Sequence, residues 1–594
     1  MRAAHRRSFA KLSLLSLVLL PVAEAQPGAP LAARRAQLRD AIEREWQYEL
    51  KTNPELATAI GDSRYNDRLY DRSAEAVERK TQYERDEIRI FEAIDTTGFP
   101  ERESLDKTLM LRHLRDSVES AQFRWWEMPV DQINGDHLDL AAMSSQMPFD
   151  TVKDYENYLA RLHAIPHALD QDIANMKQGA LDRLMPPKYL LEKVASEAHD
   201  IAAMPLPDSP FTAPVRKFPF AIPAPEQQRL MQAIESAVKD EVKPAYAKFA
   251  AFVRDDYAPH GRTEYGIWSL PDGEARYKLA VRQMTTTDLT PAEIHAMGLR
   301  QVAELDAQML ALAQSLGFHD LKTFNAHIRS DPAHYGKSSQ QVFDLYQHYA
   351  DQMKAKLPQL FGNLPKTRLE VVPMDAYRAP SAVPADYSPG SGDGSRPGRI
   401  NVNEYDPTHR LLLNVEAIAY HEGIPGHHMQ FSIAQELPDV PAFRRFAQYN
   451  AYSEGWAFYA ERLGKDVGFY QDPYSEYGRL ENEMWRSVRL VVDTGVHDQH
   501  WSRQQMIDFF HEHTAMDEQN IETEVDRYIA WPGQALAYKL GQMKILELRE
   551  RAKQALGRRF DIRTFHDAVL DEGPLPLDLL DARINAWIAQ QKEK

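Results

Sequence analysis

The chain contains no cysteine. That excludes disulfide frameworks, thiol nucleophiles and sulfur-ligated zinc, and in an oxidising compartment it leaves the core alone to hold the fold. Basic charge is also scarce: 70 Lys and Arg stand against 87 Asp and Glu, a net charge of −17. No basic footprint stands out, so nucleic acid is not an expected partner. Long apolar runs are missing as well. Leu12 to Val22 falls short of the roughly 20 residues that span a bilayer, and no later run approaches that length without charges.

That short run reads instead as the core of an export signal. Arg2, His5, Arg6, Arg7 and Lys11 form a basic lead, and "AEA" before Gln26 is a small-x-small cleavage site. Residues 1–25 are thus expected to be a signal peptide cut after Ala25, delivering a periplasmic or secreted protein without a membrane span. No cysteine stands near the cut to take a lipid through its thiol. Removal takes four basic residues and one acidic one, leaving 66 against 86 and a net charge of −20.

Helical periodicity dominates residues 26–594, read here as one helical unit with a metal core at about 368–545. Apolar residues recur at three-to-four spacing in 32–54, 152–178, 225–254, 341–357, 415–437, 451–465, 479–500 and 535–556. The stretch 290–318 opens with a capping box: Thr290 caps, Pro291 is the first helical residue, and Glu293 reaches back to the cap N–H. The exception is 368–404. "RLEVVPM" alternates like a strand, "PADYSPGSGDGSRPG" reads as a loop, and "RINVN" (399–403) reads as a second strand. A small hairpin is expected, set just before the segment that carries the chemistry, where its edge would suit an extended peptide.

That segment is "AIAYHEGIPGHHMQF", 417–431. His421-Glu422 opens like a zinc helix, yet Pro425 stands where a second histidine belongs, four residues on. On a regular helix His427 would face about 240° round from His421, and His428 would lie about 10.5 Å along the axis. Pro425 cannot donate to the carbonyl of His421 and its ring clashes there, so the helix should open between 422 and 427 and then resume. Such a bulge can bring one of His427 and His428 back to the face of His421. A third ligand is offered by Glu454 in "NAYSEGWAFYAERLG", on a new helix with an aromatic face (Trp456, Phe458, Tyr459). A carboxylate buried unpaired on such a helix is costly, and a cation would explain it; a charge drawn to the helix start by its dipole is the other reading. His421, His427 or His428, and Glu454 are therefore the metal candidates for one zinc ion, with Glu422 as general base.

"YHEGIPGHHMQF", "YSEGWAFYAE", "DTGVH", "WPGQALAYKLG" and "LTPAEIHAMGL" together resemble the bacterial family called domain of unknown function 885, across almost the whole mature chain. That family resembles the helical gluzincin peptidases: thimet oligopeptidase, carboxypeptidase Taq and angiotensin-converting enzyme. The likeness to these is confined to the metal helices, where they use His-Glu-x-Gly-His and a later glutamate. The shared Gly-His pair favours His427 as second ligand, while spacing to Glu454 suits His428 about as well. The aspartate those enzymes often carry one turn after the zinc glutamate is replaced by Phe458. The resemblance implies a mainly α, multi-helical gluzincin-like metallopeptidase fold with one small β element beside the zinc helix.

Gluzincins take tyrosine or histidine oxyanion donors from well downstream, where Tyr528 and Tyr538 stand around the Trp531-Pro532-Gly533 turn. Arg486, Arg489, Asp493 and His497 share one face of a helix. That stripe is either a solvated face or a substrate wall, with an arginine holding a peptide carboxylate and His497 as a further donor. Lys539 and Asn403 complete the substrate-binding candidates. The expected activity is zinc-dependent hydrolysis of short peptides, the size limit resting on the resemblance. Two alternatives stand beside it: a zinc hydrolase of non-peptide amides or esters, and a non-catalytic periplasmic binding protein.

Overall fold

The computed structural model describes residues 29–593, apart from 375–378, 380, 381, 393 and 395. The expected signal segment 1–25 lies outside the described residues. The fold is mainly helical with one small three-stranded sheet. Among the described residues no helix is long and apolar enough to cross a membrane.

The helices begin where the side chains predict. Thr290 caps the 25-residue helix Pro291–Ser315: its Oγ1 accepts from the Glu293 N–H, and the Thr290 N–H donates to Glu293 Oε2 at 2.9 Å. The apolar stripe Ile294, Val302, Leu305, Met309 and Ala313 is buried, and this helix packs along Pro473–His497. The stretch predicted as one helix over 225–254 is helical throughout but takes two π turns, at Val238–Val242 and Val253–Tyr257.

Another close pair sets the site. The helices Asn450–Asp466 and Leu536–Leu556 cross at Gly455 and Gly541, where the two backbones touch. A Cβ on Gly541 would overlap the Ala451 carbonyl oxygen, and one on Gly455 would overlap the Gly541 backbone. That contact brings Glu454, next to Gly455, and Tyr538, three residues before Gly541, to the same level of the molecule.

The expected hairpin is a different object. β1 (Leu369–Pro373) and β3 (Gly398–Val402) pair parallel, with Leu369 opposite Gly398, and β2 (Ala385–Ser388) pairs antiparallel with β3. The order is β1-β3-β2. The connection read as a loop is long enough to hold a third strand and return the chain to the same end, which permits the parallel pairing a two-residue turn forbids. Ala385, Ile400 and Val402 face inward against Val415, Ile418 and Ala419, so the sheet lies directly on the His421 helix. β2 is an edge strand.

Candidate metal centre

The helix Val415–Glu422 stops where Pro425 predicts, and a second helix, His427–Glu436, resumes after four intervening residues. In the break the backbone ladder widens: the Gly426 N–H reaches Tyr420 O at 2.9 Å, six residues back, and His428 N–H reaches Gly423 O at 3.0 Å. The Ile424–Pro425 peptide is cis. The indole of Trp456 donates to the Pro425 carbonyl at 2.9 Å, which gives the break a fixed partner on the Glu454 helix. Gly426 has room for no Cβ, since one would overlap the carbonyl oxygens of Tyr420 and His421.

The widened turn rotates His427 onto the face of His421; the two rings meet edge to face at 4.9 Å. One donor atom from each of His421, His427 and Glu454 lies within 4.8 Å of the others. Glu454 Oε2 is 3.6 Å from His421 Nε2 and 3.4 Å from His427 Nε2, and it is buried without a hydrogen-bond partner. Two imidazole nitrogens and a carboxylate oxygen converging on one point are a donor set that fits a divalent ion such as zinc. The outer partner fits as well. His421 Nδ1 hydrogen-bonds Glu461 Oε1 at 2.8 Å, and Asn482 donates to the other Glu461 oxygen at 3.3 Å. A carboxylate behind a histidine fixes the tautomer that leaves Nε2 free to ligate.

Glu422 stands beside this set, its Oε1 4.0 Å from His421 Nε2 and its side chain still 16% exposed, so water reaches it. Burial raises its carboxyl above the usual range, with the charges of Glu454 and Asp386 adding to the rise and His421 and His427 opposing it.

His428 turns the other way. Its Nδ1 pairs with the Tyr387 hydroxyl at 3.0 Å and its Nε2 with the Thr367 carbonyl at 3.1 Å, and burial pushes its pKa down to about 4. Both nitrogens are used to pin β2 and the entry to β1 against the resumed helix. The adjacent histidines thus have separate jobs because consecutive helical residues point about 100° apart.

The polar stripe on Pro473–His497 is buried, not solvated: Arg486, Arg489, Asp493 and His497 are all under 7% exposed. Three of its members are held by structural partners. His497 accepts from the Ile267 N–H at 3.0 Å and donates to the Tyr528 carbonyl at 2.9 Å, and burial lowers it to about 3. Asp493 accepts from the Tyr277 hydroxyl at 2.6 Å and from the Gly533 N–H at 3.0 Å, fixing the predicted Trp531-Pro532-Gly533 turn. Arg489 pairs with Glu524 at 2.9 Å and with the Tyr528 hydroxyl at 2.9 Å, which leaves only its Nη1 without a hydrogen-bond partner. That hydroxyl also accepts from Trp485 and donates to Glu524 at 2.6 Å, so Tyr528 has nothing left to offer a substrate.

Two further candidates are likewise committed. Lys539 donates to Glu483 and Gln542, each at 3.0 Å, in a buried ion pair. Asn403 donates to the carbonyls of Ala379, Ala382 and Val383, clamping the lead-in to β2. Short polar side chains satisfy backbone groups that a folded loop would otherwise strand, and sequence alone does not show which carbonyls will need them.

Tyr538 and Arg486 remain. The Tyr538 ring lies nearly parallel to that of His421 at 6.3 Å, and its oxygen accepts from Arg527 at 3.0 Å. Its own hydrogen has no acceptor among the described residues. Arg486 is 6% exposed, stacks on Trp485 at 4.1 Å, and lies 5.6 Å from the ring of Phe458, one turn after Glu454. Its Nε and Nη1 are buried without hydrogen-bond partners. The residues that sequence reasoning missed are Glu461 and Tyr387. Glu461 was legible as a second acid two turns beyond Glu454 on the same face; Tyr387 was hidden in a segment read as loop.

A family model described as "Bacterial protein of unknown function (DUF885)" matches residues 54–584. The chain belongs to that family. The DUF885 protein also matches two solved structures over nearly their whole length. A candidate lipoprotein from Colwellia psychrerythraea shares 28% identity at a TM-score of 0.90, covering 94% of this chain and 99% of its own. A candidate lipoprotein of unknown function from Shewanella oneidensis shares 17% identity at a TM-score of 0.67, covering 93% and 99%. The second likeness is one of fold. No curated protein matches the DUF885 chain.

Proposed function

We propose that this DUF885 protein is an exported zinc-dependent metallopeptidase acting on short peptides. The observation that carries the reading is the convergence of His421, His427 and Glu454, with Glu422 beside them and Glu461 behind. The donor set is also the one the helical gluzincins use, which is how the sequence first suggested the class. Export rests on the signal-like residues 1–25.

His421, His427 and Glu454 would hold the ion, and it supplies Lewis acidity toward a carbonyl oxygen and toward water. Glu422 takes a proton from the attacking water and returns one to the amine nitrogen as the peptide C–N bond breaks, so that acid and amine leave with atoms balanced. The Tyr538 hydroxyl, braced by Arg527, is the free donor for charge developing on the carbonyl oxygen. An extended peptide laid along the open edge of β2 would run past Tyr387, whose ring is 6.3 Å from that of His427. Arg486, with two unpartnered nitrogens, is the group to take a substrate carboxylate.

The test is digestion of a random peptide library, read by mass spectrometry, beside elemental analysis of the protein. Cleavage that stops with a chelator and returns with zinc is the expected result. A metal-free preparation with full activity, or a zinc-loaded one that cuts no peptide, would end the proposal.

A further inference from the structure

A second group of metal-ligating side chains lies away from this centre, in "HIRSDPAH" (327–334). His327 is on the last turn of the helix Leu321–Ser330, Asp331 ends that helix, and His334 closes the short 3-10 turn Pro332–His334. One donor atom from each lies within 4.8 Å of the others. The spacing explains how: residues four apart share a helix face, and the tight turn after Asp331 folds His334 back over the helix end.

We propose that His327, Asp331 and His334 form a second site for a divalent transition metal, with zinc as the reference ion. Three features beyond proximity support it. His334 Nε2 is buried and has no hydrogen-bond partner in the protein, which leaves its lone pair open to a ligand. Both rings are held in place by aromatic neighbours, His327 against Phe318 at 5.0 Å and His334 against Tyr474 at 4.6 Å. Asp331 uses Oδ1 to accept from the Ala333 N–H at 2.8 Å, leaving Oδ2 for an ion. Two imidazoles and one carboxylate select zinc and its neighbours over calcium or magnesium.

The role is structural. The carbonyl of His334 accepts from Leu412 N–H at 2.8 Å, and Tyr335 bridges to Leu411. Those residues lead directly into the helix that carries His421. An ion at this place would tie that lead-in to the helix Leu321–Ser330 and to Tyr474, at the start of the helix bearing Arg486.

The site is independent of the catalytic reading and is tested where that centre is disabled. The full chain is stripped of metal, titrated with zinc, and measured for bound metal after dialysis. Wild type should retain two ions per chain, His421→Ala one, and the double variant His421→Ala with His334→Ala none. Zinc should raise the melting temperature of His421→Ala by a few degrees, and His327→Gln in the same background should abolish the rise while leaving the metal-free melting unchanged. That second variant keeps the test informative where His334→Ala disturbs the turn. Failure of His421→Ala to retain any ion, or retention undiminished by His334→Ala and His327→Gln, overturns the proposal.

Discussion

Glu422 and Glu461 are both acids near His421, yet their positions give them different work. Glu422 borders the open side, where a proton can be taken from water. Glu422→Gln should keep the ion and the fold while losing about 10²–10⁴-fold in peptide turnover; near-normal turnover with metal content confirmed would remove it as the base. Glu461 meets His421 at its far nitrogen and is itself held by Asn482. Glu461→Gln should weaken zinc by roughly 10–100-fold through a less basic, less oriented imidazole, which competition with a chromogenic chelator measures. The histidine pair separates in the same way. His427→Ala should lose the ion of this centre, and His428→Ala should retain it, because His428 spends both nitrogens on Tyr387 and Thr367. Zinc titration showing the reverse order would reassign the ligand.

At the level of elements, the centre depends on how one broken helix is held against another. Trp456 donates to the Pro425 carbonyl from inside the Glu454 helix, so the candidate ligands before and after the break are braced by the helix that carries the third. Trp456→Phe preserves the buried ring but leaves that carbonyl unpaired, at a cost of about 1–3 kcal/mol. The expected result is a lower melting temperature and weaker zinc binding, although no ligand is altered. Unchanged affinity would show that the break holds its shape without the indole. The break was legible in the sequence from Pro425 and Gly426 alone. Its brace was not, since nothing in residue 456 announces a partner 31 positions earlier. The sheet makes the same point: its strands at 369–373 and 398–402 were foreseen, but not β2 or the parallel pairing, which depend on where the intervening chain packs.

Across the whole molecule, buried acids set a pH dependence. Burial pushes Asp493 up to about 7, against the stabilising bonds from Tyr277 and Gly533. Unfolded aspartate releases its proton near pH 4. Between about pH 4 and pH 7 the folded chain therefore binds more protons, and this group's contribution to stability falls as pH rises. Glu45, Asp172 and Glu481 are raised to about 7 by burial as well. Asp493→Asn keeps the shape without the charge. Its stability relative to wild type should rise by something on the order of 3 kcal/mol between pH 5 and pH 8, read from denaturant melts at both values. A difference from wild type that is the same at both pH values would show that the Asp493 carboxyl is not raised in the fold.

What the amino-acid order determined by itself is whatever depends on near neighbours. Helix periods, the Thr290 capping box, the stop at Pro425 and the pairing of a His-Glu dipeptide with a later helical glutamate all follow from spacing and local sterics. Tertiary structure decided which polar groups were free to act. Tyr528, His497, Lys539 and Asn403 carry the right chemistry at plausible positions, but each is consumed by a buried partner, while Arg486 keeps two unpartnered nitrogens and Tyr538 is engaged only as an acceptor. The reason is physical: a buried hydrogen bond is satisfied by whichever group the packing brings close. That group is commonly tens to hundreds of residues away, beyond the reach of any local pattern.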